Sequence, residues 1–201
     1  LVGGLYYLLM IGEVPTKEQA MEVEAEWAKR SDVPDYVFKM LKSMPKETHP
    51  MTLFSQAVLS LQNGSVFASK YHSMKKDVYW EAALEDSLNL TAKLPLIAAY
   101  IYRMKYFGES KKPKFNAKQD YGMNFARMMK VSDKKGYAEL ARLYFILHSD
   151  HESGNASAHA MHLAGSTLSD AFYSFSASLN ALAGPLHGLA NQECLGWLID
   201  V

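Results

Sequence analysis

The sequence predicts an all-α fold on three observations. Apolar residues recur at helical spacing along almost the whole chain, no segment shows strand alternation, and helix-start signals mark the breaks. With 201 residues, 49% hydrophobic and 21% charged, the chain is long enough for a sizeable domain with its own core. Lys+Arg and Asp+Glu balance at 21 each, so the charge points to no nucleic acid and no membrane surface as partner. The longest apolar run, Leu5 to Ile11, falls well short of the roughly 20 residues of a membrane span. Cys194 is the single cysteine, so no intrachain disulfide forms, and it reads as a small core residue rather than a nucleophile.

The helices follow in order. Thr16 with Gln19, just after Pro15, forms a capping box opening a helix to about residue 30. Pro34 marks a break, and a short helix over 36–44 ends at Pro45. Pro50 suits the first position of a helix over 50–61, stopped by Asn63-Gly64, and a short helix follows over 66–74. The longest signal, 79–106, sets Leu84, Leu88, Leu94, Ile97, Ala98, Ile101 and Tyr102 near one stripe, and Pro95 inside it should kink or divide it. Residues 108–120 form a polar loop whose lysines (Lys111, Lys112, Lys114 and Lys118) read as solvated surface rather than an anion site. Helices follow over 121–129 and, behind a Ser132-Asp133 cap, over 134–147. From Ala156 to Gly184, 17 of 29 residues are Ala, Ser, Gly or Thr, a composition that lets helices pack closely against other helices or a second subunit.

Five of the seven histidines lie between His148 and His187. The pairs His148/His151 and His159/His162 have a spacing that helices use to share a ligand. They lack the two-His, one-Glu pattern of zinc hydrolases, and Ser153-Gly154 separates them, so no metal site is expected. Gly184-Pro185 signals a helix start that places His187 in the first turn of a helix to the last residue. The positive end of a helix dipole disfavours a charged imidazolium, and a neutral imidazole there can donate its N–H to a developing oxyanion. Asn155, after the Ser153-Gly154 turn, suits an N-cap. Two helix starts, each with a histidine nearby, could therefore converge on one anionic ligand. The alternative is a pair of structural histidines in capping turns.

At these residues the sequence resembles citrate synthase, closest to the eukaryotic mitochondrial type. The resemblance rests on HSDHESGNASAHAMHLAGSTLSD (148–170) and LNALAGPLHGLANQE (179–193), with support from GEVPTKEQ (12–19), His49-Pro50-Met51, Lys93-Leu94-Pro95 and Arg142-Leu143-Tyr144. It implies a multi-helical homodimer in the mitochondrial matrix that condenses acetyl-CoA with oxaloacetate and binds no permanent cofactor, acetyl-CoA and CoA being substrate and product. His187, in GPLHG, would act on the acetyl-CoA carbonyl. His151 and Asn155 would lie against oxaloacetate, Ser157 would hold His187, and His148 would be structural. An arginine that contacts coenzyme A in the family falls near Lys75-Lys76, where a lysine keeps the charge without the planar fork.

The family's second catalytic histidine, in a Pro-Gly-Tyr-Gly-His motif, and its catalytic aspartate have no match in this sequence. Ser153 and Ala156 stand where the eukaryotic pattern has glycine and valine. The chain therefore reads as an internal segment, covering roughly half of the family's length and lacking an initiator Met. Residues 1–188 would be part of a large helical domain and 189–201 the start of a small one, with a hinge near His187 and Gly188. Alone, such a segment is expected to be inactive. Two other readings stand beside this one: a 2-methylcitrate synthase using propionyl-CoA, and a non-catalytic assembly protein with the same fold.

Overall fold

The computed structural model describes residues 1–132, 135–150 and 154–201. Among these residues the regular structure is helical: α1 (Val2–Ile11), α2 (Lys17–Arg30), α3 (Asp35–Ser43), α4 (Pro50–Ser60), α5 (Val66–Lys70), α6 (Tyr79–Tyr106), α7 (Tyr121–Met129), α8 (Lys135–Leu147), α9 (Ala156–Gly165), α10 (Ala171–Leu182) and α11 (Ala190–Asp200). The all-α expectation holds. None of the helices is long and apolar enough to cross a membrane. The chain divides into one unit of residues 1–46 and 87–150 and another of residues 47–86 and 151–201.

The first unit is built around Trp27 of α2, which packs with Val2, Ala92 and Tyr121, flanked by Tyr6, Val23, Leu88 and Phe145. Its ring meets Tyr6 edge-on at 5.2 Å and Tyr121 at 4.7 Å, separations at which aromatic pairs attract beyond simple burial. The predicted capping box is present: Thr16 accepts from the Gln19 amide, and the Gln19 side chain accepts from the Thr16 amide. Helix α1 carries no capping signal, and its start was not anticipated. Glu24 anchors it, its carboxylate accepting from the Gly3 amide at 2.9 Å and the Tyr121 amide at 2.7 Å. Burial raises the Glu24 carboxyl against those two donors.

Pro95 does not divide α6, which runs unbroken from Tyr79 to Tyr106. A proline leaves the carbonyl four residues earlier without its helical donor. Here that carbonyl belongs to Thr91, and the Tyr121 hydroxyl donates to it at 2.9 Å. The predicted stripe is also too narrow. Leu90, Ala92, Leu96, Ala99 and Tyr100 are buried together with Ile97 and Ile101, so this part of α6 is enclosed on several sides, as a core helix is.

Asp120 caps α7 by accepting from the Met123 amide at 3.0 Å and pairs with Arg142 of α8 at 2.6 Å. Gly122 lets the two helices approach, since a Cβ there would lie 2.7 Å from Arg142 Cγ. Burial by itself raises the Asp120 carboxyl, but hydrogen bonds from Arg142 and the Met123 amide, with the Arg142 charge, outweigh it and leave the group below its ordinary value. Within the polar loop, Lys112 is held rather than merely solvated. It bonds Asp32 and the Val33 carbonyl, both at 2.8 Å, and lies 5.1 Å from the centre of the Phe38 ring. The expected Asp133 cap and the helix start at Lys134 lie outside the described residues.

In the second unit α10 packs on both α4 and α9. The small residues serve as expected: Ser55 of α4 and Ser176 of α10 are buried, with their hydroxyls 2.8 Å apart. His49 caps α4 through Nδ1, which accepts from the Met51 amide, and Pro50 follows at the first helical position. Asp86, wholly buried, accepts from Ser65 Oγ and the Val66 and Phe67 amides and so ties down α5. Burial raises its carboxyl in spite of these three donors. Helix α5 ends at Lys70, short of the predicted residue 74.

Two helices present unburied apolar surface. On α8, Leu140, Leu143, Tyr144 and Leu147 follow the i, i+3, i+4, i+7 spacing of a buried stripe, yet all are exposed. Helix α11 is exposed at every residue, including Leu195, Trp197, Leu198 and Ile199. The Cys194 expectation is corrected here, because the thiol lies on this exposed helix and not in a core. Surface of this kind drives association. The chain by itself is expected to bind a hydrophobic dye and to self-associate, and a Leu143→Lys, Leu147→Lys double variant should reduce both. A monodisperse monomer without dye binding would contradict this.

Candidate active site

The residues of the site converge from two helix boundaries of the second unit. Asn155 is the N-cap of α9, as expected, and its Oδ1 accepts from the Ser157 amide at 3.1 Å and the Ala158 amide at 3.4 Å. The same oxygen accepts from Ser157 Oγ at 2.7 Å. Ser157 is buried, and its amide also points at His187, donating to Nε2 at 3.3 Å. Asn155, Ser157 and His187, thirty-odd residues apart at the extremes, thus form one hydrogen-bonded group.

His187 does not sit in a helical first turn, which corrects the sequence expectation. Helix α11 begins at Ala190 with Leu189 as its N-cap, and residues 184–189 form successive tight turns. The His187 amide bonds the Gly184 carbonyl at 3.0 Å, the Ala190 amide bonds the His187 carbonyl at 3.1 Å, and the Gly188 amide folds back to the Leu182 carbonyl at 3.0 Å. Gly188 is held close against the end of α10. A Cβ on it would lie 2.5 Å from the Leu182 carbonyl oxygen and 2.7 Å from Leu182 Cδ1. The imidazole faces the start of α9, and so the positive end of that helix, rather than the start of its own following helix.

This contact determines which ring nitrogen bears the proton. A backbone amide only donates, so Nε2 must offer a lone pair, and the ring is then a neutral imidazole carrying its hydrogen on Nδ1. The arrangement presents one N–H donor, on a half-buried ring held from behind, to whatever lies in front of Nδ1. Such a group can stabilise a developing oxyanion or enolate without needing to be charged.

The other histidines divide between positions. His151 lies outside the described residues. His148 follows α8 in the first unit, where it stacks on Tyr144 at 4.0 Å with its Nδ1 2.9 Å from the Tyr144 carbonyl. His159 and His162 are exposed on α9. Among the described residues no group of three His, Cys, Asp or Glu comes together as metal ligands would. Sequence reasoning missed Gly188 as a positioning element and the shared Oδ1 of Asn155. Their signals were the second glycine of GPLHG and a serine two residues after a capping asparagine.

The fold has solved counterparts. A citrate synthase from Pyrobaculum aerophilum superposes with a TM-score of 0.80 over 96% of this chain and 48% of its own, at 29% identity. One from Thermotoga maritima shares the fold with a TM-score of 0.77 over 100% of this chain and 49% of its own, at 24% identity. The architecture is therefore that of the all-α citrate synthases. The family model for the citrate synthase C-terminal domain matches residues 3–201, and the chain belongs to the citrate synthase family. The mitochondrial citrate synthase of Emericella nidulans is 48% identical over 199 residues, 98% of this chain. That of Kajikia audax is 50% identical over 196 residues, 97% of this chain. The chain spans 42% of the length of each of these two relatives.

Proposed function

We propose that the protein carrying this chain is a citrate synthase, condensing acetyl-CoA with oxaloacetate to give citrate and CoA. The observation that carries this reading is the Ser157 amide donating to His187 Nε2, which leaves Nδ1–H as an uncharged acid. Thioester α-protons are weakly acidic, so enolisation needs a base at the methyl group and an acid at the carbonyl oxygen together. His187 Nδ1–H would donate to the acetyl-CoA carbonyl while a carboxylate outside these 201 residues takes a methyl proton. The enol carbon would then attack the ketone of oxaloacetate, held by His151 and Asn155, the enol proton returning to His187 Nδ1 while a further acid outside these residues protonates the new alkoxide. Water would cleave the citryl thioester to give citrate and CoA. Ser157 would keep the imidazole in its tautomer.

Supporting the same reading, residues 184–189 are turns and α11 is exposed along its whole length, which suits a hinge near His187 and Gly188 with 189–201 beginning a second, small domain. The mitochondrial citrate synthases among the relatives support a mitochondrial setting, and a homodimer belongs to the same proposal. The test is thiol release from acetyl-CoA in the presence of oxaloacetate. The complete protein should release CoA only when both substrates are present, and the 201-residue chain alone should release none. Turnover by the chain alone, or by the complete protein without oxaloacetate, would overturn the assignment of roles.

A further inference from the structure

We propose that Asn155 is a positioning residue for His187, acting through Ser157, in addition to any contact it makes with substrate. The inference rests on the reading of His187 as the acid of the proposed reaction and deepens it. Three donors meet on Asn155 Oδ1: the amides of Ser157 and Ala158 and the hydroxyl of Ser157. Exchanging the two ends of the carboxamide would aim its NH2 at two backbone N–H groups, so the network itself identifies the oxygen.

The consequence runs through the Ser157 amide, which is shared between Asn155 Oδ1 at 3.1 Å and His187 Nε2 at 3.3 Å. The first amides of a helix have no partner within it and depend on the cap for their direction. Asn155 therefore fixes where the Ser157 N–H points, and that N–H excludes a proton on Nε2. Because the cap uses Oδ1, Nδ2 is the end that remains to donate toward an anionic ligand. One side chain would thus set the acid with its oxygen and serve the substrate with its nitrogen.

Without the Oδ1 acceptor, the first turn of α9 loses its anchor and the imidazole its directed donor. The ring should then redistribute its proton between Nδ1 and Nε2. Nitrogen-15 correlation spectra of the histidine rings, recorded on the complete protein without substrates at a pH where the rings are neutral, read this directly. The His187 signals are identified by their loss in His187→Gln. The native chain should show a protonated Nδ1 and a bare Nε2. Asn155→Ala should give a mixture of the two forms, and Asn155→Ser, a neutral cap that accepts from the same turn, should restore the native pattern.

Asn155→Gly guards against misfolding, since glycine is well tolerated at a cap position yet offers no side-chain acceptor. It too should give the mixture. A native pattern in Asn155→Gly would overturn the proposal, as would a mixture in Asn155→Ser equal to that in Asn155→Ala. The spectra need no turnover, so the positioning role and the citrate-forming activity stand or fall separately.

Discussion

Replacing His187 with alanine in the complete protein is expected to lower kcat by about 10²- to 10⁴-fold, the usual contribution of a positioned acid or base. The KM for oxaloacetate should change little, because the imidazole is assigned to the thioester carbonyl. The reason lies in the tautomer: with Nε2 held by the Ser157 amide, the ring donates through Nδ1 alone. The measurement is steady-state thiol release with each substrate varied in turn. A rise in the KM for oxaloacetate with kcat unchanged would move His187 from the acid role to substrate binding.

Replacing Asp120 with alanine is expected to destabilise the first unit by about 3 kcal/mol, toward the lower end for a broken ion pair because this one keeps some contact with solvent. The change takes from Arg142 its bond across to α7, leaving it Glu139 on its own helix, and removes the cap of α7. The pH dependence has a definite sign. In the folded state Asp120 titrates below its ordinary 3.8, so its stabilisation is complete above 3.8 and is lost as pH falls through the lower, folded value. Urea unfolding of the native and Asp120→Ala chains should therefore differ at neutral pH and converge in acid. Arg142 is charged throughout that range and adds no slope. Glu24 and Asp86, both raised by burial, act in the opposite sense, their ionisation opposing folding as pH rises through their folded values. A gap between the two chains that stayed constant into acid would refute the ion-pair account.

Local chemistry was legible in the sequence wherever a single residue determines the outcome. The Thr16–Gln19 box, the His49-Pro50 start and the Asn155 cap all stand where side-chain chemistry indicated. Features set by distant partners were not legible. Pro95 was expected to kink or divide its helix, and α6 is not divided there, the freed Thr91 carbonyl being taken by Tyr121, thirty residues later on α7. The α6 stripe was too narrow because periodicity identifies one apolar face and not how many neighbours enclose the helix. At the site, Gly184-Pro185 resembled a helix start, but the chain spends residues 184–189 in turns before α11 begins. The physical cause is Gly188, whose amide bonds the Leu182 carbonyl and whose missing Cβ lets the chain fold back onto α10. The contact between His187 and the start of α9 is likewise a product of packing, and only the family resemblance had placed Ser157 beside that ring.

The central claim is that this chain supplies the acid side of citrate formation. The most direct measurement replaces the matching 199-residue stretch of the Emericella nidulans citrate synthase with this chain and follows thiol release from acetyl-CoA and oxaloacetate. The account predicts a chimera that turns over with both substrates and is silenced by His187→Ala. A folded chimera that is inactive, or one whose turnover is indifferent to His187→Ala, would contradict it.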